Sequence, residues 1–293
     1  MSYAEQMARL TARKIEQTRA KQDRLGARDE DDYGLVLPPE SFKADLPVRD
    51  ATGQFSGPRA WAANFRWLME HHPLYIDPDD ALAGRWMFML SRMRLGYQLS
   101  RSNFAFDYSH LEPLQKKYDI TTGIGKDAHF APDYQIGLDL GWGGLLEKVR
   151  AARLKFRVGG VLAAEDVAYA IELMDAEEQA ILGVQAWIRR LGEAAADRTM
   201  TEEDPVRRAN LAEMARICLK LVDQPPETLR EVVQWIAIFN MASRTYNRDG
   251  AGGQLDELLR PYYERDIAAD LARYKSFLHP ARNEMDSAVK RDN

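Results

Sequence analysis

Between Asp204-Pro205 and Asp223-Gln224-Pro225-Pro226, the apolar residues Leu211, Met214, Ile217, Cys218 and Leu221 recur every three or four positions. That spacing is the period of one helix face, and the flanking residues fix both ends. Aspartate caps a first turn, proline is tolerated inside it, and a double proline cannot continue a helix. The same texture runs through most of the second half of the chain. Ala163 to Ala196 reads as one long helix. Glu227 to about Tyr246 reads as another, rich in Val232, Val233, Trp235, Ile236, Ile238 and Phe239. Tyr134 to Leu154 is helical with an interruption at Gly141-Trp142-Gly143-Gly144, and Asp256 to Tyr263 leads into a last helix from about Arg265 to Phe277. The pattern predicts a mainly α body with few strands.

The front of the chain is less regular. Ser2 to Arg28 reads as a charged helix with a thin apolar line, Ala4, Met7, Leu10 and Ile15, whose mate is either the body or a partner. Gly26 to Pro58 is an irregular arm. Arg59 to Glu70 is helical, with Trp61, Phe65 and Leu68 on one face, and His71-His72-Pro73 stops it. Tyr75-Ile76-Asp77 is short and extended, and Asp80 to Tyr97 fits a helix or partly a strand. The aperiodic stretch from Leu99 to Asp139 holds Asp107, Tyr108, His129 and Asp133. The organisation expected is an arm over residues 1–58, a helical domain over 59–279, and a polar tail over 280–293 that reads as a genuine end.

Composition excludes several classes. Forty basic against 45 acidic side chains leave a formal charge of -5, without the basic excess that marks a nucleic-acid binder. A single cysteine, Cys218, permits no internal disulfide and no multi-thiolate zinc site. No stretch approaches the length of a membrane span, and the first residues form no signal peptide. A cytoplasmic protein without membrane or nucleic-acid partners is expected.

The chemistry-bearing residues are sparse. His71 and His72 are adjacent, share no helix face and have no third ligand at a metal spacing, so they read as a helix end. His129 lies among glycines and a proline in Gly123 to Tyr134. There it either presents an imidazole to a cavity or bonds backbone groups to hold its loop. Cys218 on an apolar helix face reads as a small core residue. Gly250-Ala251-Gly252-Gly253 shapes a chain reversal, and the acidic pair Glu177-Glu178 reads as solvated surface. These residues compose no catalytic set by themselves.

Several segments, taken in order, resemble the glycyl radical enzymes of the pyruvate formate-lyase type. They are Ile76-Asp77-Pro78-Asp79-Asp80 through Gly84; His129-Phe130-Ala131-Pro132-Asp133-Tyr134 followed by Leu140-Gly141-Trp142-Gly143-Gly144-Leu145; Leu211 to Cys218; Pro225-Pro226-Glu227-Thr228 through Gln234; and Gly252-Gly253-Gln254-Leu255-Asp256 through Asp266. The resemblance covers roughly Tyr75 to Phe277. It departs at the turn, where Gly253 or Gln254 stands for the family's arginine, and at Glu257, which replaces a glutamine.

This resemblance implies the helical N-terminal portion of a glycyl-radical-enzyme-like α/β barrel. It also implies that the thiyl cysteine and the radical glycine are missing, since Cys218 matches a structural helix cysteine and no radical glycine loop is present. The chain is then expected to be the non-radical subunit of a split lyase, dehydratase or decarboxylase. In that arrangement it binds no cofactor itself, and a larger subunit supplies the cysteine and the glycyl radical that act on a small-molecule substrate. Asp107, Tyr108 and His129 are the residues the resemblance places on the substrate wall. The alternatives are a catalytically inactive stand-alone module, acting as monomer or homo-oligomer, and a truncated chain.

Overall fold

A computed structural model describes residues 3–25, 39–51, 53, 55–85, 112–119, 128–130, 132–158, 164–243, 248–250 and 254–271. The elements run α1 (Tyr3–Leu25), α2 (Pro58–His71), α3 (Glu112–Tyr118), β1 (Ala128–Phe130), α4 (Tyr134–Val158), α5 (Ala164–Thr199), α6 (Pro205–Leu221), α7 (Leu229–Ser243), β2 (Arg248–Gly250) and α8 (255–271). α5 is the axis of the body. At 36 residues it spans roughly 50 Å and packs along α2, α4 and α6. Leu68, Ile188, Leu191, Met214, Cys218, Leu221, Val232 and Ile238 between these helices are wholly removed from solvent.

Local chemistry fixes the helix ends. Asp204 accepts hydrogen bonds from the amides of Val206 at 2.8 Å and Arg207 at 3.1 Å, and Pro205 opens α6. These amide bonds, with that of Arg207 the largest effect, hold the Asp204 carboxyl below the usual carboxylate range. Thr228 and Glu231 start α7 as a capping box. The Glu231 amide donates to Thr228 Oγ1 at 3.3 Å, and the Thr228 amide donates back to Glu231 Oε2 at 3.3 Å. α8 is continuous over 255–271, so its two expected pieces are one helix that carries Pro261 inside it.

The interruption in α4 is a true kink. Gly141 has φ 64° and ψ 178° within an otherwise helical run. The turn after α6 fits into it: Gly143 N donates to Asp223 O at 2.9 Å, and a Cβ at Gly141 would lie 2.6 Å from Gln224 C. Gln185 of α5 holds the same turn, donating to Val222 O and to Asp223 Oδ1, each at 2.9 Å.

The expected α/β barrel portion is not what the chain forms. Among the described residues the only strand pairing is the three-residue parallel ladder of β1 with β2, in which His129 faces Asp249 across the ladder. A barrel wall needs longer strands with neighbours on both sides, whereas the buried apolar residues here lie mainly on helices that pack against one another. The architecture is α-helical.

Candidate functional site

Among the described residues, the most densely built polar cluster lies where α1 meets the segment after α2. Pro73 and Pro78 bracket an extended stretch, and the Asp79 amide donates to Asp77 Oδ1 at 3.0 Å to turn it. Both carboxylates point inward, with Asp77 3% and Asp79 0% exposed. Asp79 receives a bidentate fork from Arg207 of α6, at 2.8 and 2.9 Å, and a further bond from Arg13 of α1 at 3.2 Å. Arg9 adds an ion pair with Asp79 at 3.7 Å, and Arg13 also pairs with Asp77. Burial alone raises the carboxyl of Asp77, but the bonds from Arg13 and the Asp79 amide outweigh it and hold the group below its ordinary value.

α1 therefore docks through its polar side. Gln6, Arg9, Arg13 and Gln17, spaced three or four apart, face the body. Gln6 donates to Asp79 O at 2.7 Å, and Gln17 donates to the Tyr75 hydroxyl at 2.8 Å. Met7 and Ile15, members of the thin apolar line, are 42% and 48% exposed. A cavity of about 320 Å³ opens beside this seam, lined by Arg13, Lys14, Gln17, Tyr75, Asp77 and Arg85. The Tyr75 hydroxyl, raised above its ordinary range first by burial, donates to Asp77 at 3.3 Å. The carboxylates of the cluster are already accepting from arginines, so it holds chain segments together and leaves no uncommitted base.

Other titratable groups are buried away from this cluster. His72 is buried at the end of α2 in contact with Trp187, with ring centroids 5.2 Å apart. Its Nδ1–H donates to Pro73 O at 2.7 Å, and its Nε2 is buried without a partner. Burial, the largest effect, lowers the imidazole to about 4, with Arg190 acting in the same direction. Glu178, expected as solvated surface, is 9% exposed and is gripped by Arg150 and Arg153 of α4. Glu231, 1% exposed, is held by Lys220 at 2.8 Å and Arg216 at 3.0 Å. Cys218 is 0% exposed, and burial pushes its thiol up to about 12.

Of the residues expected to line a substrate wall, His129 lies in β1, where the ladder sets its backbone beside that of Asp249. Asp107 and Tyr108 lie outside the described residues. No group of three or more His, Cys, Asp or Glu among the described residues could hold a metal ion, and none of their helices is long and apolar enough to cross a membrane. The Asp79 hub escaped notice in the sequence because its partners lie 66 and 128 residues away. The one available signal was Asp77-Pro78-Asp79 itself, two carboxylates in a tight turn.

The sequence pattern of the family described as pyruvate formate lyase-like matches residues 117–276, more than half of the 293. The chain belongs to this family. Among its relatives, the isethionate sulfite-lyase of Oleidesulfovibrio alaskensis is 27% identical over 244 residues, 80% of this chain and 28% of that protein. A probable dehydratase of Escherichia coli is 29% identical over 158 residues, 53% of this chain and 18% of that protein. The chain thus spans less than a third of the length of these relatives.

Solved structures agree on the fold. A glycyl radical enzyme from Archaeoglobus fulgidus superposes with TM-score 0.58 at 20% identity, covering 73% of this chain and 33% of that one. A Roseburia inulinivorans protein described for 1,2-propanediol dehydration gives TM-score 0.56 at 18% identity, covering 75% of this chain and 31% of that one. The helical body therefore corresponds to one part of a much larger fold.

Proposed function

We propose that this chain is the non-radical component of a split glycyl-radical-type lyase, dehydratase or decarboxylase. In this reading a second, larger polypeptide carries the thiyl cysteine and the glycyl radical. This chain braces the partner's catalytic barrel and contributes part of the substrate cavity. Lyase and dehydratase both name eliminations, and the relatives bearing those names make a departing leaving group the favoured reaction class.

The observation that carries the reading is Cys218. It is the only cysteine in the sequence, wholly buried in the helical core, with its thiol pushed up to about 12. A thiol that abstracts hydrogen must reach substrate, and this one cannot without unpacking α6. A relay of radical and thiol must therefore come from elsewhere. An apolar stripe on α8 supports a covered face: Leu255, Tyr263, Ile267 and Leu271 are spaced by multiples of four and are 36%, 54%, 43% and 54% exposed. His129, Asp107 and Tyr108 are the proposed cavity-lining groups, with His129 moving a proton to the leaving group.

The test is co-purification of the tagged chain from its own anaerobically grown cells. A stoichiometric larger partner with cysteine and glycine radical loops is expected, and only the complex is expected to turn over. In that complex His129→Gln lowers kcat by about a hundredfold while leaving assembly intact. Recovery of the chain alone, as monomer or homo-oligomer, would sink the proposal in favour of a stand-alone module.

A further inference from the structure

Glu177 and Glu178 are neighbours in sequence but face different surroundings on α5. Glu178 turns to the arginines of α4. Glu177 opens on a cleft of about 360 Å³ between α5 and the start of α2, a size within the range of small-molecule sites. Pro58 and Trp61 form one wall. Tyr169, Leu173, Glu177 and Ala180, on one face of α5, form the other. The Trp61 ring is held in place by stacking on Phe65, with centroids 4.8 Å apart, and Tyr169 stands at the rim, 62% exposed.

Apart from Glu177, these walls are aromatic or aliphatic. Among the described residues no cation or hydrogen-bond donor meets the Glu177 carboxylate, and burial alone pushes its pKa up. The buried carboxylates Asp77, Asp79, Glu178 and Glu231 each have at least one arginine or lysine on them, whereas Glu177 is exposed at the mouth of the cleft. Glu177 thus puts an unpaired carboxylate on an otherwise apolar cleft that also holds two aromatic rings, whose faces attract cations.

We propose that the α2–α5 cleft binds a small alkylated ammonium ion, with Glu177 as its counter-charge and the Trp61 and Tyr169 rings against its apolar skin. An anion is excluded by the carboxylate, and a neutral apolar molecule would cover that carboxylate without pairing its charge. Neither His129 nor the α8 stripe is among the described residues that line the cleft, so the inference does not rest on any role in radical chemistry.

The experiment titrates the full chain with tetramethylammonium chloride at constant ionic strength, read by saturation-transfer NMR on the N-methyl protons. Saturable binding is expected, weakened about tenfold or more in Glu177→Gln and about threefold in Tyr169→Ala. Both are surface changes, and circular dichroism checks that the helices persist. Glu193→Gln, exposed on the same helix, is expected to bind as the unaltered chain does. The inference is overturned by an absence of saturable binding, by unchanged binding in Glu177→Gln, or by tert-butanol binding as tightly as the cation.

Discussion

The side-chain amide of Gln234 brackets the backbone of Ala83. Its Oε1 accepts from the Ala83 amide at 2.8 Å, and its Nε2 donates to the Ala83 carbonyl at 3.0 Å, across 151 residues of sequence. Both residues are buried, at 1% and 0% exposure. The pair does for one residue what a strand ladder does for many, and it pins the segment after Asp80 to α7.

Replacing Gln234 with Leu keeps the volume and strands two buried backbone groups. A loss of about 2–5 kcal/mol is expected, since each unsatisfied group costs about 1–3 kcal/mol. Urea unfolding followed by far-UV circular dichroism measures it. A loss below about 1 kcal/mol would mean that water or a rearranged loop takes over both bonds.

The Asp79 hub predicts how α1 comes loose. Asp79→Asn keeps the shape but removes the charge that Arg9, Arg13 and Arg207 share. Its arginine partners are partly exposed, so the cost is expected to be about 2–3 kcal/mol, below that of breaking a fully buried pair. The loss should fall on α1 first: hydrogen exchange across Tyr3–Leu25 rises to near-unprotected rates while α5 and α6 keep their protection. Uniform loss of protection across all helices would contradict the hub's role as a local clasp.

His72 predicts an acid-sensitive stability. The imidazole titrates at about 4 when folded and near 6.5 when unfolded, so the unfolded chain takes up the proton first. The contribution of neutral His72 is complete above about pH 6.5 and is lost as pH falls from there towards about 4, by about 3 kcal/mol. His72→Asn retains a donor for Pro73 O and does not titrate. The stability difference between the two proteins is expected to shift by that amount between about pH 7 and pH 4. A constant difference would show that His72 is protonated in the folded chain.

Gly141 and Gly53 give a matched pair, both left-handed, at φ 64° and 81°. A Cβ at Gly53 meets nothing within 4 Å, so Gly53→Ala is expected to cost only the backbone strain, about 1–2 kcal/mol. At Gly141 the same atom lies 2.6 Å from the backbone of Gln224 and Pro225, which cannot swing aside as a side chain does. Gly141→Ala is expected to cost at least about 3 kcal/mol, or to leave the chain insoluble. Similar thermal shifts for the two variants would contradict the wedge.

Helices were legible in the sequence because their signals are local. Asp204-Pro205 and the apolar period from Leu211 to Leu221 are read within one element, and α6 begins and ends where they place it. The Gly141 break was equally visible. The polar architecture was not, because its partners lie far apart in sequence: Arg207 on Asp79, Gln234 on Ala83, Arg190 on the carbonyls of Met69 and His72. Glu177 and Glu178 look alike as letters and differ only because successive helix positions point about 100° apart. α1 misled for a related reason, since its apolar line suggested the docking face and its polar line makes the contacts.

The Asp79 clasp also sets an order of events during synthesis. α1 leaves the ribosome before α6, and Arg207, which completes its docking surface, is made about 180 residues later than the end of α1. At ordinary translation rates that is roughly ten seconds or more in which the charged helix has no finished seat. In that interval α1 is open to chaperones, proteases or a neighbouring nascent chain, and its closure onto the body marks the point at which α6 has emerged and folded.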